Sequence, residues 1–381
     1  MRLLTSERST AVILLCAAVL GLVVANSPAG KTLFDFRDTH IGFGPVEMSI
    51  GHWISDGLLA VFFFTVAVEL KHELTEGELS SVRRALQPAI AALCGVVVPA
   101  VLYLIVTQGT DLTRGWPIPT ATDIAFALGV LAVFGRGIPR RIRIFLLALA
   151  VLDDLIAIII IAVFFTSHPN LIELIAAAIT IGLFGLLSLT LRTATTRWPI
   201  TLALIGLALV SWWLVEDSGV HATIAGVALG LVMSRKPAAR VRHVLEPWSN
   251  GVILPLFAFF AALVAIPSLA PSALSPAFWG ILLALPLGKC IGIGIGGLLG
   301  SLAHPQAERE RVSPLTLVTV GALGGIGFTV SLLMNELAFA GSTLIRSEGT
   351  LAVLLGSGIS IVAASILVSV TARRYRASHQ S

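Results

Sequence analysis

Residues 144–166 read IFLLALAVLDDLIAIIIIAVFFT, an apolar run with two adjacent carboxyls, Asp153 and Asp154, at its centre. A helix rises about 1.5 Å per residue, so a run of this length crosses the roughly 30 Å hydrocarbon core of a bilayer. An ionised carboxyl at that depth costs roughly 2.5–3.5 kcal/mol on insertion scales. A chain keeps such groups where they face a cavity, an ion or a counter-charge. Two more intrusions occur, Asp123 in PTATDIAFALGVL and Lys289 in LLALPLGKCIGIGIGG. Three acids and one base at membrane depth, with almost nothing else charged there, point to an ion or proton pathway.

The rest of the chain is equally apolar. It is 56% hydrophobic and 12% charged, against about 25% charged in an average soluble protein. No polar stretch is long enough for a soluble domain, so the expected class is an all-α polytopic membrane protein in a lipid bilayer. Cys16, Cys94 and Cys290 lie in apolar runs, which suits small core residues and offers no disulfide or metal-ligand spacing. The net charge of +4 does not indicate nucleic acid, because the basic residues gather at the ends of apolar runs.

Twelve candidate spans follow: 10–26, 52–70, 88–107, 117–134, 144–166, 171–191, 198–215, 219–234, 249–267, 277–300, 314–334 and 349–372. Basic residues favour the cytoplasmic side of a membrane. With the N-terminus inside, 20 of the 25 Lys and Arg residues fall in cytoplasmic segments. Lys31, Arg37, Arg114 and Arg346 fall outside, and Lys289 lies within a span. A wrong span count would scramble this split, so both termini are expected in the cytoplasm of an inner-membrane protein. Arg2, Arg8 and the following run up to Ala25-Asn26-Ser27 also resemble a signal peptide, and a first span is the reading taken.

The first outer loop, TLFDFRDTHIGFGPVEMSIG, alternates apolar and polar residues and has Gly42 and Gly44-Pro45 as turn material. A short β-hairpin is expected there. Spans 4 and 11 carry helix breakers. Pro117 and Pro119 predict an extended entry that carries Thr122 and Asp123 deep. Gly321, Gly324, Gly325 and Gly327 weaken span 11. Spans 3–5 and 10–12 thus form two triplets with broken middle members. An odd offset of seven spans makes them inverted repeats, the organisation of many secondary transporters. The expected division is an interface part at 1–87, a first core repeat at 88–166, linking and interface helices at 167–276, and a second core repeat at 277–381.

The residues also carry a family resemblance. SDGLLAVFFFTVAVELKHE (55–73), TATDIAFALGVLAVFG (120–135), LALAVLDDLIAIIIIAVFF (147–165), SGVHATIAGV (218–227), LPLFAF (254–259), LGKCIGI (287–293) and GGIGFTVSL (324–332) together resemble the bacterial NhaA-type sodium/proton antiporters. The resemblance implies electrogenic exchange of cytoplasmic Na+ or Li+ for external H+, no cofactor, and a core domain moving against an interface domain, often in a homodimer. It makes Asp154 the main cation ligand and proton carrier, and Asp153 the carboxylate paired with Lys289. Thr122 and Asp123 match the crossing of the broken helices. There Asp123 is expected to face the positive helix ends and Lys289 the negative ones. Glu69, Lys71 and Glu73 match a region tied to pH response, and Asp56 and His221 match further polar positions. RVRHVLEPW (240–248) departs from the pattern, with Arg242 where an acid is usual and Glu246 where a histidine is usual. Arg242 and the adjacent His243 are therefore candidates for an altered pH response. Ala261-Ala262-Leu263 replaces Asn-Ala-Gly.

The chemistry suits these residues. Sodium is a hard cation and prefers oxygen ligands. Two other classes suit the residues less well. An intramembrane aspartyl-type enzyme needs both carboxyls aimed at one point, whereas neighbours on a helix point about 100° apart. A passive channel has no need of a titratable Asp–Lys pair. A phosphate loop of the form GxxxxGK[ST] does not occur in the chain, which argues against ATP drive.

Overall fold

A computed structural model of the chain describes residues 7–42, 47–166, 169–191, 198–266, 273–302 and 313–378. Helix α1 (Glu7–Ala25) leads to a short helix α2 (Gly30–Asp38) and two strands, β1 (His40–Ile41) and β2 (Met48–Ser49). Then come α3 (Ile50–Thr75), α4 (Val82–Val106), α5 (Ile124–Phe134), α6 (Arg140–Phe164), α7 (Leu171–Thr190) and α8 (Trp198–Asp217). The remainder is α9 (Thr223–Val232), α10 (Arg235–Ala261), α11 (Pro276–Leu302), α12 (Pro314–Gly324), α13 (Phe328–Ala338) and α14 (Thr343–Ser378). Among the described residues, nine helices are long and apolar enough to cross a membrane: α1, α3, α4, α6, α7, α8, α10, α11 and α14. Two bent pairs add to these. Segment 111–120 meets α5 at 41°, and α12 meets α13 at 50°. Helix α9 is shorter but also apolar.

Local signals start several helices. The side chains of Asn170, Ser275 and Ser313 accept hydrogen bonds from the first-turn N–H groups of α7, α11 and α12, satisfying donors that a helix start leaves open. Pro276 and Pro314 occupy first helical positions, where their missing N–H costs nothing. Within α11 the backbone widens into a π turn at Ala284–Gly288. Pro286 lies inside that turn and cannot donate to the helical ladder. Lys289 follows directly.

Packing depends on close backbone approach. Gly288, Gly292, Gly296 and Gly300 recur every fourth residue on α11 and face Pro99, Cys94, Ile90 and Gln87 of α4. A Cβ at Gly292 would strike the Cys94 carbonyl. Small residues at such spacing let membrane helices touch backbone to backbone. In hydrocarbon this is where association gains its van der Waals contact, since lipid tails are as apolar as the side chains. Helix α11 also packs on α12 and α14, and α3 packs on α9 beside the α7–α8 pair. Asn26 closes the end of α1 on the chain after α10, donating to the Val264 carbonyl and accepting from Ile266 N–H. Large apolar side chains face outward, among them Ile172 at 80% and Leu186 at 65% exposure. Such a surface belongs in lipid rather than water.

The outer loop differs in part from expectation. Strands β1 and β2 pair antiparallel, His40 with Ser49 and Ile41 with Met48. The turn residues 43–46, Gly44-Pro45 among them, lie outside the described residues. Phe34 and Phe36 are not in a strand. They belong to α2, whose half-buried face is Leu33, Phe34 and Arg37, a helical spacing that the Phe34/Phe36 alternation concealed.

Span 4 also differs. The prolines do not open an extended entry. Pro117 sits at φ −74°, ψ −22°, and Ile118–Thr120 forms a tight 3₁₀ turn. Proline's fixed φ suits the start of a helical turn. The chain is extended at Ala121 (ψ 154°) and Asp123 (ψ 103°), immediately before α5.

Candidate functional site

The two interruptions touch. The Asp123 N–H donates to the Ile326 carbonyl at 2.6 Å, and Thr122 Oγ1 donates to the Gly324 carbonyl at 2.8 Å. Ser331 Oγ reaches back to the Ile118 carbonyl at 2.8 Å. Backbone groups that each broken helix leaves open are thus satisfied by the other, as hydrocarbon requires. Gly327 permits the approach through closeness rather than an unusual φ: an added Cβ would stand 3.1 Å from the Ala121 carbonyl.

Asp123 is buried and capped by both half-helices. Its Oδ1 accepts from Phe126 N–H at 3.2 Å, at the start of α5. Its Oδ2 accepts from Thr329 N–H at 3.2 Å and Thr329 Oγ1 at 2.6 Å, at the start of α13. Two positive helix ends therefore converge on one carboxylate. Thr329 escaped the sequence reading. The available signal was a hydroxyl residue two positions after the glycine break, where a helix start needs partners.

Helix α6 carries Asp153 and Asp154 past this crossing, and both are buried. Lys289, 0% exposed, donates from Nζ to Asp153 Oδ2 at 2.6 Å. Among the described residues it makes no hydrogen bond to a helix C-terminal carbonyl, and the expected facing toward negative helix ends is not seen as a contact. Asp153 Oδ1 has no hydrogen-bond partner among the described residues. Asp154 is 6% exposed and forms no ion pair among the described residues. The charges acting on it come from Asp153, Asp123, Glu69 and Lys289. Thr122, Asp123, Asp153, Asp154 and Lys289 are thus brought together, in two states of compensation. Asp153 has the Lys289 side chain as its ion-pair partner, and Asp154 has none among the described residues.

The candidates for pH response do not form one cluster. Glu69 pairs with Arg242, Oε1 to the guanidinium at 3.2 Å, both half-buried. Lys71 donates to the carbonyls of Leu231 and Met233 at 2.6 and 2.8 Å, closing the C-terminal end of α9. Glu73 is half-buried one turn beyond Glu69, and His243 is exposed on α10. His221 lies beside Asp56, near the opposite end of α3 from Glu69. Thirteen residues separate Asp56 from Glu69, about 20 Å of helix.

Comparison with known proteins bears on the same region. A family model described as "Na+/H+ antiporter 1" matches residues 1–368, from α1 through the site helices and into α14. A Clavibacter michiganensis protein named Na(+)/H(+) antiporter NhaA 2 is 59% identical over 98% of this chain and 93% of its own length. A Tropheryma whipplei Na(+)/H(+) antiporter NhaA is 46% identical over the full length of both. A Streptomyces antibioticus protein of the same name is 43% identical over 98% of this chain and 79% of its own. The broken-helix crossing, the buried lysine pair and the carboxylate beside it lie within a match that covers nearly the whole chain, and the chain belongs to the Na+/H+ antiporter 1 family.

Proposed function

We propose that this multi-pass membrane protein exchanges Na+ for H+ and that Asp154 binds one or the other. The observation that carries the reading is a buried carboxylate without an ion pair among the described residues, next to a carboxylate that has one, where two broken helices meet. A lone carboxylate charge in a water-poor site is costly. It is relieved by a proton or by a cation, and binding one excludes the other. Exchange follows if only a neutralised site reorients across the membrane. The Lys289–Asp153 pair would couple to the same event, since Lys289 also acts electrostatically on Asp154. Thr122 and carbonyls freed at the breaks would complete an oxygen set for Na+ or Li+.

The finer organisation belongs to the same proposal. Nine long helices, two bent pairs and α9 are read as twelve spans with both termini cytoplasmic in an inner membrane. Helices α4 to α6 and α11 to α14 are read as inverted core repeats, supported by one broken member in each. The core would move against an interface part that includes α3 and α7 to α10, with electrogenic exchange and a homodimer as in the family resemblance. Purified protein in proteoliposomes, with an imposed pH gradient, tests it. Added Na+ should dissipate the gradient, and an imposed membrane potential should change the rate. Sodium flux indifferent to the pH gradient would identify a channel instead.

The Glu69–Arg242 pair leads to a prediction about pH control. Positive charge favours the release of nearby protons and negative charge favours their retention. Arg242→Glu replaces the guanidinium beside Glu69 by an acid, near Glu246 and Glu73. If release of protons activates the transporter, the activity onset moves to higher pH, most clearly at low salt where screening is weak. An unmoved pH profile would leave control to the core aspartates.

A further inference from the structure

We propose that the hairpin end of the bundle carries a binding site for a divalent transition-metal ion of the Zn2+ class, held by His52, Asp56 and Glu216. His52 and Asp56 lie one turn apart on α3, and Glu216 lies at the end of α8. His52 Nε2 is 3.1 Å from Asp56 Oδ2 and 3.2 Å from Glu216 Oε1. One ligand atom from each of the three residues can be chosen so that all lie within 4.8 Å of one another. Donors of a tetrahedral zinc ion stand about 3.3 Å apart when metal–ligand bonds are about 2.0–2.1 Å. The His52 nitrogen therefore already stands at that spacing from one oxygen of each carboxylate.

A second observation points independently to a missing ligand. The Asp56 side chain is 7% exposed, and its Oδ1 is buried with no hydrogen-bond partner among the described residues. Buried carboxylate oxygens are rarely left so. His221 Nδ1, from the segment that leads into α9, stands 3.8 Å from that oxygen. This is beyond hydrogen-bond reach and close enough for a fourth ligand after a small side-chain movement.

The ligands are held by neighbours. Ser55 Oγ donates to Asp56 Oδ2 at 3.1 Å, and Trp212 Nε1 to the Asp56 carbonyl at 3.1 Å. Ala222 N–H donates to Glu216 Oε2 at 3.3 Å. Such outer partners orient metal ligands. A cavity of about 400 Å³, lined by His52, Glu216, Ser49 and Asp217 among others, gives an entry path. Imidazole with carboxylates suits Zn2+ and neighbouring transition metals, whereas Ca2+, Mg2+ and Na+ favour all-oxygen sets. The charges that act most on Asp154 are Asp153, Asp123, Glu69 and Lys289, none of them in this group, and Asp56 lies near the opposite end of α3 from Glu69. A bound ion would tie α3 to α8.

The bland alternative is a protonated His52 bridging two carboxylates with no metal, and direct binding separates the two. Full-length, tag-free protein in detergent is titrated with Zn2+ by calorimetry, and with Co2+ by visible absorption. One equivalent of Zn2+, a tetrahedral Co2+ spectrum and a raised melting temperature are expected. His52→Gln and Glu216→Gln should each weaken binding by more than about a hundredfold, the upper range for loss of even an outer-shell partner. Should His52→Gln fail to fold, Glu216→Gln carries the test, since Glu216 is partly exposed at a helix end. No heat above the detergent blank, or unchanged affinity in a folded variant, overturns the proposal.

Discussion

Asp154→Asn should abolish sodium–proton exchange in proteoliposomes, to the level of protein-free vesicles, while the purified protein stays monodisperse. The amide keeps the volume and can still ligate weakly, but it neither titrates nor neutralises a cation. Asp154 has no ion pair to lose among the described residues, so its charge is a cost to the folded state rather than a support. The melting temperature should accordingly hold or rise. A single side chain that separates transport from stability in this way is expected of a carrier and not of a packing residue. Exchange at the native rate in the purified variant would move the site elsewhere.

Lys289→Ala should cost far more stability than Asp153→Asn. The lysine is fully buried, and its ammonium is the counter-charge of Asp153 at 2.6 Å. The other oxygen of Asp153 already lacks a hydrogen-bond partner among the described residues, so removing the lysine takes away the carboxylate's counter-charge. Breaking one side of a buried pair costs roughly 3–5 kcal/mol. Asp153→Asn leaves an amine that can shed its proton or turn toward Asp154, which already acts on it electrostatically. Thermal unfolding in the same detergent compares the two variants. Equal shifts in melting temperature would contradict a pair whose stability contribution depends on its carboxylate being compensated.

Much of this was legible in one dimension because hydrocarbon imposes one-dimensional rules. Apolar length, basic residues at run ends and a few charges where none belong identified a membrane bundle, and pointed to Asp123, Asp153, Asp154 and Lys289. Breakers at Pro117 and Pro119, and at Gly324 to Gly327, located the two interruptions to within a few residues. The detail at the prolines was misjudged, because the same fixed φ suits an extended dipeptide and the first turn of a helix. Helix α2 is hidden for a related reason, since the half-burial of residues 33, 34 and 37 exists only in the folded chain.

What tertiary structure decided is how the charges are compensated. Nothing in the adjacency of Asp153 and Asp154 says which one meets Lys289, because that depends on where α11 places the lysine relative to α6. The glycine face of α11 sets that placement by letting the helix settle against α4. The same holds for Thr329, more than 200 residues from Asp123 and yet its hydrogen-bond donor, and for Glu69 with Arg242. Composition and periodicity are read along the chain, and they determined the membrane class and the inventory of charges. Pairing is a distance of a few ångströms between segments far apart in sequence, and only the packed helices determine it.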